Sequence, residues 1–169
     1  MVKIIFKFII IVLIVVLHLS VLSSVDISLT KYFSLPIIFI SFVAFLEPMS
    51  SAILSACLLG LLLDLYSPVF FGFYIIVFLL SAFAIQFFMT NFFQHKNLGS
   101  LLATSVLPLL IYQLIYLVYY YFSSYSGSNL SPQYLLIFFW QVLIHSLFVS
   151  FVYLLPNPIS RKIKSPTIA

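Results

Sequence analysis

The chain has 169 residues, 64% of them apolar and 6% charged, with a formal net charge of +4. Soluble domains carry about 25% charged and 45–50% apolar residues, so a water-soluble globule is excluded, and no polar stretch is long enough to form a soluble domain beside a membrane part. The basic residues stand at the ends of apolar runs, which reads as orientation of the chain and contact with anionic lipid, and excludes nucleic acid as a partner.

A helix that crosses a bilayer needs about 20 mainly apolar residues, with a usable range of about 17–25. The first run, 8–25, follows "MVKIIFK". It has the outline of a signal peptide, but it is long, no Ala-x-Ala-like site follows, and more apolar runs come after it. It is expected to be an uncleaved first span. The second run is led by Pro36 and stops at Glu47-Pro48. Over 32–46 it could just span a thinned bilayer; otherwise it forms a re-entrant pair with the third segment, 49–65. One helix over 32–66 is not expected, because Pro48 breaks it and because it would be ~50 Å long. The fourth segment, 70–93, precedes "QHKN", and the fifth, 98–122, contains Pro108. The polar stretch "SSYSGSNLSPQ" separates it from the sixth, 134–155, and residues 156–169 form a basic tail.

The fold expected is an all-α integral membrane protein, a compact bundle of about six transmembrane helices with the second and third short. With six spans and a cytoplasmic N-terminus, Lys3, Lys7, Lys96, Arg161, Lys162 and Lys164 lie inside and Lys31 lies outside. The positive-inside rule asks for this distribution. Five spans would export Lys96 and the Arg161–Lys164 cluster, whereas a re-entrant pair fits the charges as well as two short spans. Both termini are then cytoplasmic. Tyrosines near segment ends, such as Tyr119, Tyr121, Tyr134 and Tyr153, suit an interfacial aromatic belt, with a sugar-binding platform as the alternative. Cys57 is the one cysteine. It has no partner for an internal disulfide or a Cys-pair metal site and reads as a packing residue.

Polar residues inside apolar spans are costly and are therefore the first candidates for function. Here they are His18, Glu47, Asp64, Gln86, Gln113, Gln141 and His145. Gln141 and His145 share a helix face, either to hold helices together by hydrogen bonds or as half of a ligand site. Enzyme chemistry finds little to stand on. No Gly-x-Ser-Gly-type turn frames a serine, no His-Glu-x-x-His is present, and no arginine lies in a span to clamp a phosphate. Glu47 and Asp64 are ~25 Å apart along a helix, too far to share a proton. No cofactor is expected.

The third segment carries a clearer pattern. Ala52, Ala56 and Gly60 recur every four residues, a ridge along which another helix can approach closely, and the next step is Asp64. The carboxylate is expected to accept hydrogen bonds from Ser67 or from the backbone N–H groups that open the fourth segment, where the helix dipole is positive.

The stretch "GLLLDLYSPVFFGFYIIVFLLSAFAIQFF" resembles the rod shape-determining protein MreD family, on Gly60, Asp64, Ser67 and Gly72. The first span is also similar, with His18 where the family more often has Gln. Chain length, the short Pro36-led segment, the basic loop after the fourth segment and the basic tail fit as well. The chain departs from the family in having "SPVFFG" for a Ser-Gly-Ser-Pro-like turn and a shorter, less basic loop after the second segment. The resemblance implies a non-enzymatic, multi-pass subunit of the bacterial inner membrane. It would associate with an MreC-like protein and, through it, with an MreB-like filament, a RodA-like glycosyltransferase and a penicillin-binding transpeptidase. It implies no catalytic residues. The rival reading is a vitamin-type substrate-capture component of a transporter, with Gln86, Gln113, Gln141 and His145 lining the cavity.

Overall fold

The computed structural model describes residues 2–24, 34–67, 69–93, 97–123 and 133–154. Within them every regular element is a helix: α1 (Val2–Ser24), α2 (Leu35–Leu46), α3 (Met49–Asp64), α4 (Phe73–Asn91), α5 (Leu98–Ser123) and α6 (Gln133–Leu154). Three stretches are long and apolar enough to cross a membrane: Phe73–Asn91, Leu98–Tyr119 and Leu136–Leu154. The apolar helices Lys7–Ser20, Leu35–Leu46 and Met49–Asp64 are shorter. The expectations for Lys31, Lys96, the loop after α5 and the basic tail fall outside the described residues.

Helix is what an apolar chain adopts where water is absent, because it pairs every backbone group within the segment. The small polar residues keep that economy by donating back to their own helices. The hydroxyls of Ser41, Ser81 and Thr104 donate to the carbonyls of Ile37, Val77 and Ser100 at 2.7, 2.6 and 2.8 Å. Each can therefore be buried at a helix contact without an unpaired group. At the start of α5, the Asn97 side chain accepts the Ser100 N–H at 2.7 Å and the Ser100 hydroxyl accepts the Asn97 N–H at 3.0 Å, a reciprocal cap.

The chain breaks at Glu47-Pro48, and α2 and α3 are separate helices that pack on each other. The shortest helix is the central one. The 12-residue α2 meets α1, α3, α4 and α5, and seven of its residues are buried. A length of ~18 Å is tolerable there, because its ends lie against protein. The α3–α4 pair is the most extensive contact, followed by α4–α5 and α5–α6, while α6 packs chiefly on α5. The main core joins Ile11 and Val15 of α1, Ile40 and Ala44 of α2, the α3 ridge, and Phe73, Val77 and Phe78 of α4.

The fourth helix begins later than its apolar run suggests. Val69 to Gly72 belong to the turn, and Phe73 is the first helical residue. Gly72 has φ of +98°, a left-handed conformation that ends the turn and sets the direction of α4.

Candidate functional site

The site is the corner where α3 hands over to α4. Ala52, Ala56 and Gly60 form a buried row along α3, against which α4 packs. At Gly60 the approach is backbone to backbone: a β-carbon there would stand 2.6 Å from the Ile75 Cα and 2.7 Å from its nitrogen. No side chain can occupy that space while the helices keep this spacing.

One turn further on, the close approach delivers Asp64 to the N-terminus of α4. One carboxylate oxygen accepts the Tyr74 N–H at 2.9 Å and the other accepts the Ile75 N–H at 3.2 Å. These are two of the N–H groups that a helix start leaves without an internal partner. The carboxylate is 5% exposed. What makes its burial tolerable is the pair of amides together with the positive end of the α4 dipole. Of the two partners expected for Asp64, the α4 amides take both oxygens, and the Ser67 hydroxyl instead accepts the Val69 N–H at 3.1 Å. The Tyr74 side chain hydrogen-bonds with Ser67 and Tyr112. Its ring stacks on Tyr112 at 6.4 Å, and Tyr112 stacks on Tyr116 at 6.2 Å, so α5 is tied to the same corner.

The other polar candidates divide among three places. Gln86 on α4 donates through its amide nitrogen to the carbonyls of Ala44 at 2.6 Å and Glu47 at 2.8 Å. It thus caps the C-terminal end of α2, whose last carbonyls have no helical partner. Gln113 on α5 donates to the Gln141 side-chain carbonyl on α6 at 2.8 Å. One turn along α6 from Gln141, His145 is 3% exposed and hydrogen-bonds to the Ser105 backbone, and its Nε2 has no partner among the described residues. His18, on α1, has a buried Nδ1 that likewise lacks one. The structure therefore brings Gln113, Gln141 and His145 to the α5–α6 seam and places Gln86 elsewhere.

Sequence reasoning missed a further cluster. The Lys7 ammonium donates to both the Glu47 carboxylate and the Ser51 hydroxyl, and Ser51 also donates to Glu47. This ties α1 to the α2–α3 turn. The available signal was Glu47 itself, an acid facing the apolar N-terminus of α3 with no nearby cation in sequence. Among the described residues, no three of His, Cys, Asp and Glu gather as metal ligands would.

No family model, curated protein or solved structure matches this chain.

Proposed function

We propose that the chain is a non-enzymatic subunit of the bacterial rod complex, a multi-pass protein of the inner membrane that helps organise peptidoglycan synthesis and cell shape through helix contacts with partner proteins. The observation that carries the reading is the corner. The four residues of the MreD-like pattern act on one local structure: Gly60 admits the α4 backbone, Asp64 caps it, Ser67 turns the chain and Gly72 supplies the left-handed residue. A pattern whose members share one packing job suits an assembly protein, since it makes a rigid surface for a partner such as an MreC-like single-span protein.

The rival reading, a vitamin-type capture component, needs donors and acceptors that converge on an open site. Gln86 is engaged by α2 and Gln113 by Gln141, which favours the assembly role. The test is co-expression with an MreC-like partner and purification through a tag on this chain. The partner should co-purify in stoichiometric amount. Recovery of the partner should fall with Asp64→Leu and largely survive Asp64→Asn. Nanomolar binding of a vitamin by the purified chain would falsify the reading.

A further inference from the structure

His145 of α6 is 3% exposed and hydrogen-bonds to the Ser105 backbone of α5. Inside a helix the Ser105 N–H is spent on the carbonyl four residues back, so the imidazole is the donor and the Ser105 carbonyl accepts. The His145 Nε2 has no partner among the described residues, which leaves Nδ1–H as the donating group. The tautomer follows: a proton on Nδ1 and a bare lone pair on Nε2. That lone pair is a buried acceptor, and leaving it unmet is costly.

The residue beside Ser105 supplies a second acceptor. Pro108 lies inside α5 and has no N–H, so the Thr104 carbonyl, four residues before it, loses its helical donor. The proline ring also presses on that carbonyl and opens the helix ladder there. Thr104 is 1% exposed and Ser105 fully buried. The hydroxyls of this turn meet neither need. Thr104 Oγ1 donates to the carbonyls of Ser100 at 2.8 Å and Leu101 at 3.2 Å, and Ser105 Oγ donates to that of Leu102 at 2.9 Å.

We propose that the Pro108 break is a binding site for one internal water, which donates one O–H to the Thr104 carbonyl and the other to His145 Nε2. The chemistry selects the occupant. Two acceptors call for a species that carries two donors, which excludes a simple anion. A metal ion has no ligand set here, since no three of His, Cys, Asp and Glu gather among the described residues. The Nε2 atom has no exposed surface, so the occupant is internal and not a lipid headgroup. Backbone groups freed by a proline in a membrane helix are met by ordered water in this way, and buried waters bridge otherwise unpaired polar groups.

The site links two parts of the bundle. Among its neighbours α6 packs chiefly on α5, and the water would join α6 to the one point where the α5 ladder is open. The proposal stands apart from the assembly reading, because it depends only on groups inside this chain.

The test uses the full chain with His18→Gln and His95→Gln, so that His145 is its one histidine. It is labelled with ¹⁵N at histidine and studied by NMR in detergent at neutral pH. The expected spectrum has a protonated Nδ1, an unprotonated Nε2 shifted as a hydrogen-bonded acceptor, and a cross-peak from water to the imidazole ring protons. Adding Pro108→Ala restores an N–H for the Thr104 carbonyl. The water cross-peak should then fall several-fold and Nε2 should move to the position of a free lone pair, with the tautomer unchanged. A proton on Nε2 overturns the inference. So does an Nε2 at the free position with no water cross-peak before Pro108 is changed, and this outcome is decisive even if the Pro108→Ala chain does not fold. A cross-peak that survives Pro108→Ala at full strength puts the water elsewhere and overturns the inference as well.

Discussion

Gly60 faces Ile75 backbone to backbone, and a β-carbon on Gly60 would lie 2.6 Å from the Ile75 Cα. The opposing atoms are main chain and cannot rotate aside, so Gly60→Ala must push α4 away from α3. Overpacking of this kind costs about 1–3 kcal/mol. Gly99→Ala is the control, since its β-carbon would meet only the Asn97 side chain at 3.6 Å, and it should stay within about 0.5 kcal/mol of the parent. Thermal unfolding in detergent reads both, and equal midpoints for the two variants would refute the close contact.

The Asp64 carboxylate serves two amides at once, so its substitutions should be graded. Asp64→Asn keeps one carbonyl oxygen and loses one bond. Asp64→Leu leaves two buried N–H groups without an acceptor, at about 1–3 kcal/mol for each group. The unfolding midpoint should fall in the order parent, Asn, Leu. Native-state hydrogen exchange should show the Tyr74 and Ile75 amides exchanging faster in the Leu variant, while amides in the middle of α5 hold.

Gly72 offers a separation of sterics from backbone strain. No atom lies within 4 Å of where its β-carbon would stand, yet its φ is +98°. Gly72→Ala should therefore destabilise through the backbone alone, by about 1–3 kcal/mol. Gly72→Asn, which tolerates left-handed geometry better, should lie between Ala and the parent in the same melting assay.

How much of this could be read in the sequence depended on range. The helices, the break at Pro48 and the Ala52–Asp64 ridge follow from local periodicity, because each concerns residues within a few turns of one another. The start of α4 at Phe73 lies later than its apolar run suggests. Phe70 and Phe71 continue the apolar run, and hydropathy does not distinguish an apolar turn from a helix; Gly72, with its left-handed φ, is the local mark of the boundary. The Lys7–Glu47 pair and the Gln86 cap on α2 span about 40 residues of chain. Such contacts depend on which helix faces which, and in a bundle that is apolar on all sides composition says little about facing.

The Lys7–Glu47 contact joins α1 to the α2–α3 turn, and Ser51 is shared by both partners. Lys7→Met takes the ammonium away from the carboxylate, and Glu47→Gln takes the negative charge away from the ammonium, so each single change should destabilise. In the double variant neither charge remains. A double-mutant cycle should therefore show a favourable coupling within the range of about 0.5–3 kcal/mol seen for residues in contact. A coupling of zero would mean that the two side chains act independently.

The Gln113–Gln141 bond tests the assembly reading against the capture reading from inside the bundle. As a helix fastener it should behave like other hydrogen bonds between membrane helices, whose couplings average about 0.6 kcal/mol and reach about 1.7. Gln113→Leu and Gln141→Leu should then each cost little, and the double variant should cost less than their sum, because it removes both polar groups and leaves an apolar contact between α5 and α6. His145, one turn away and bonded to the Ser105 backbone, should keep the register of the two helices in all three variants. A capture site would respond differently: each single change would abolish ligand binding while leaving the melting midpoint nearly unchanged. Melting in detergent and binding titrations on the same three variants separate the two behaviours.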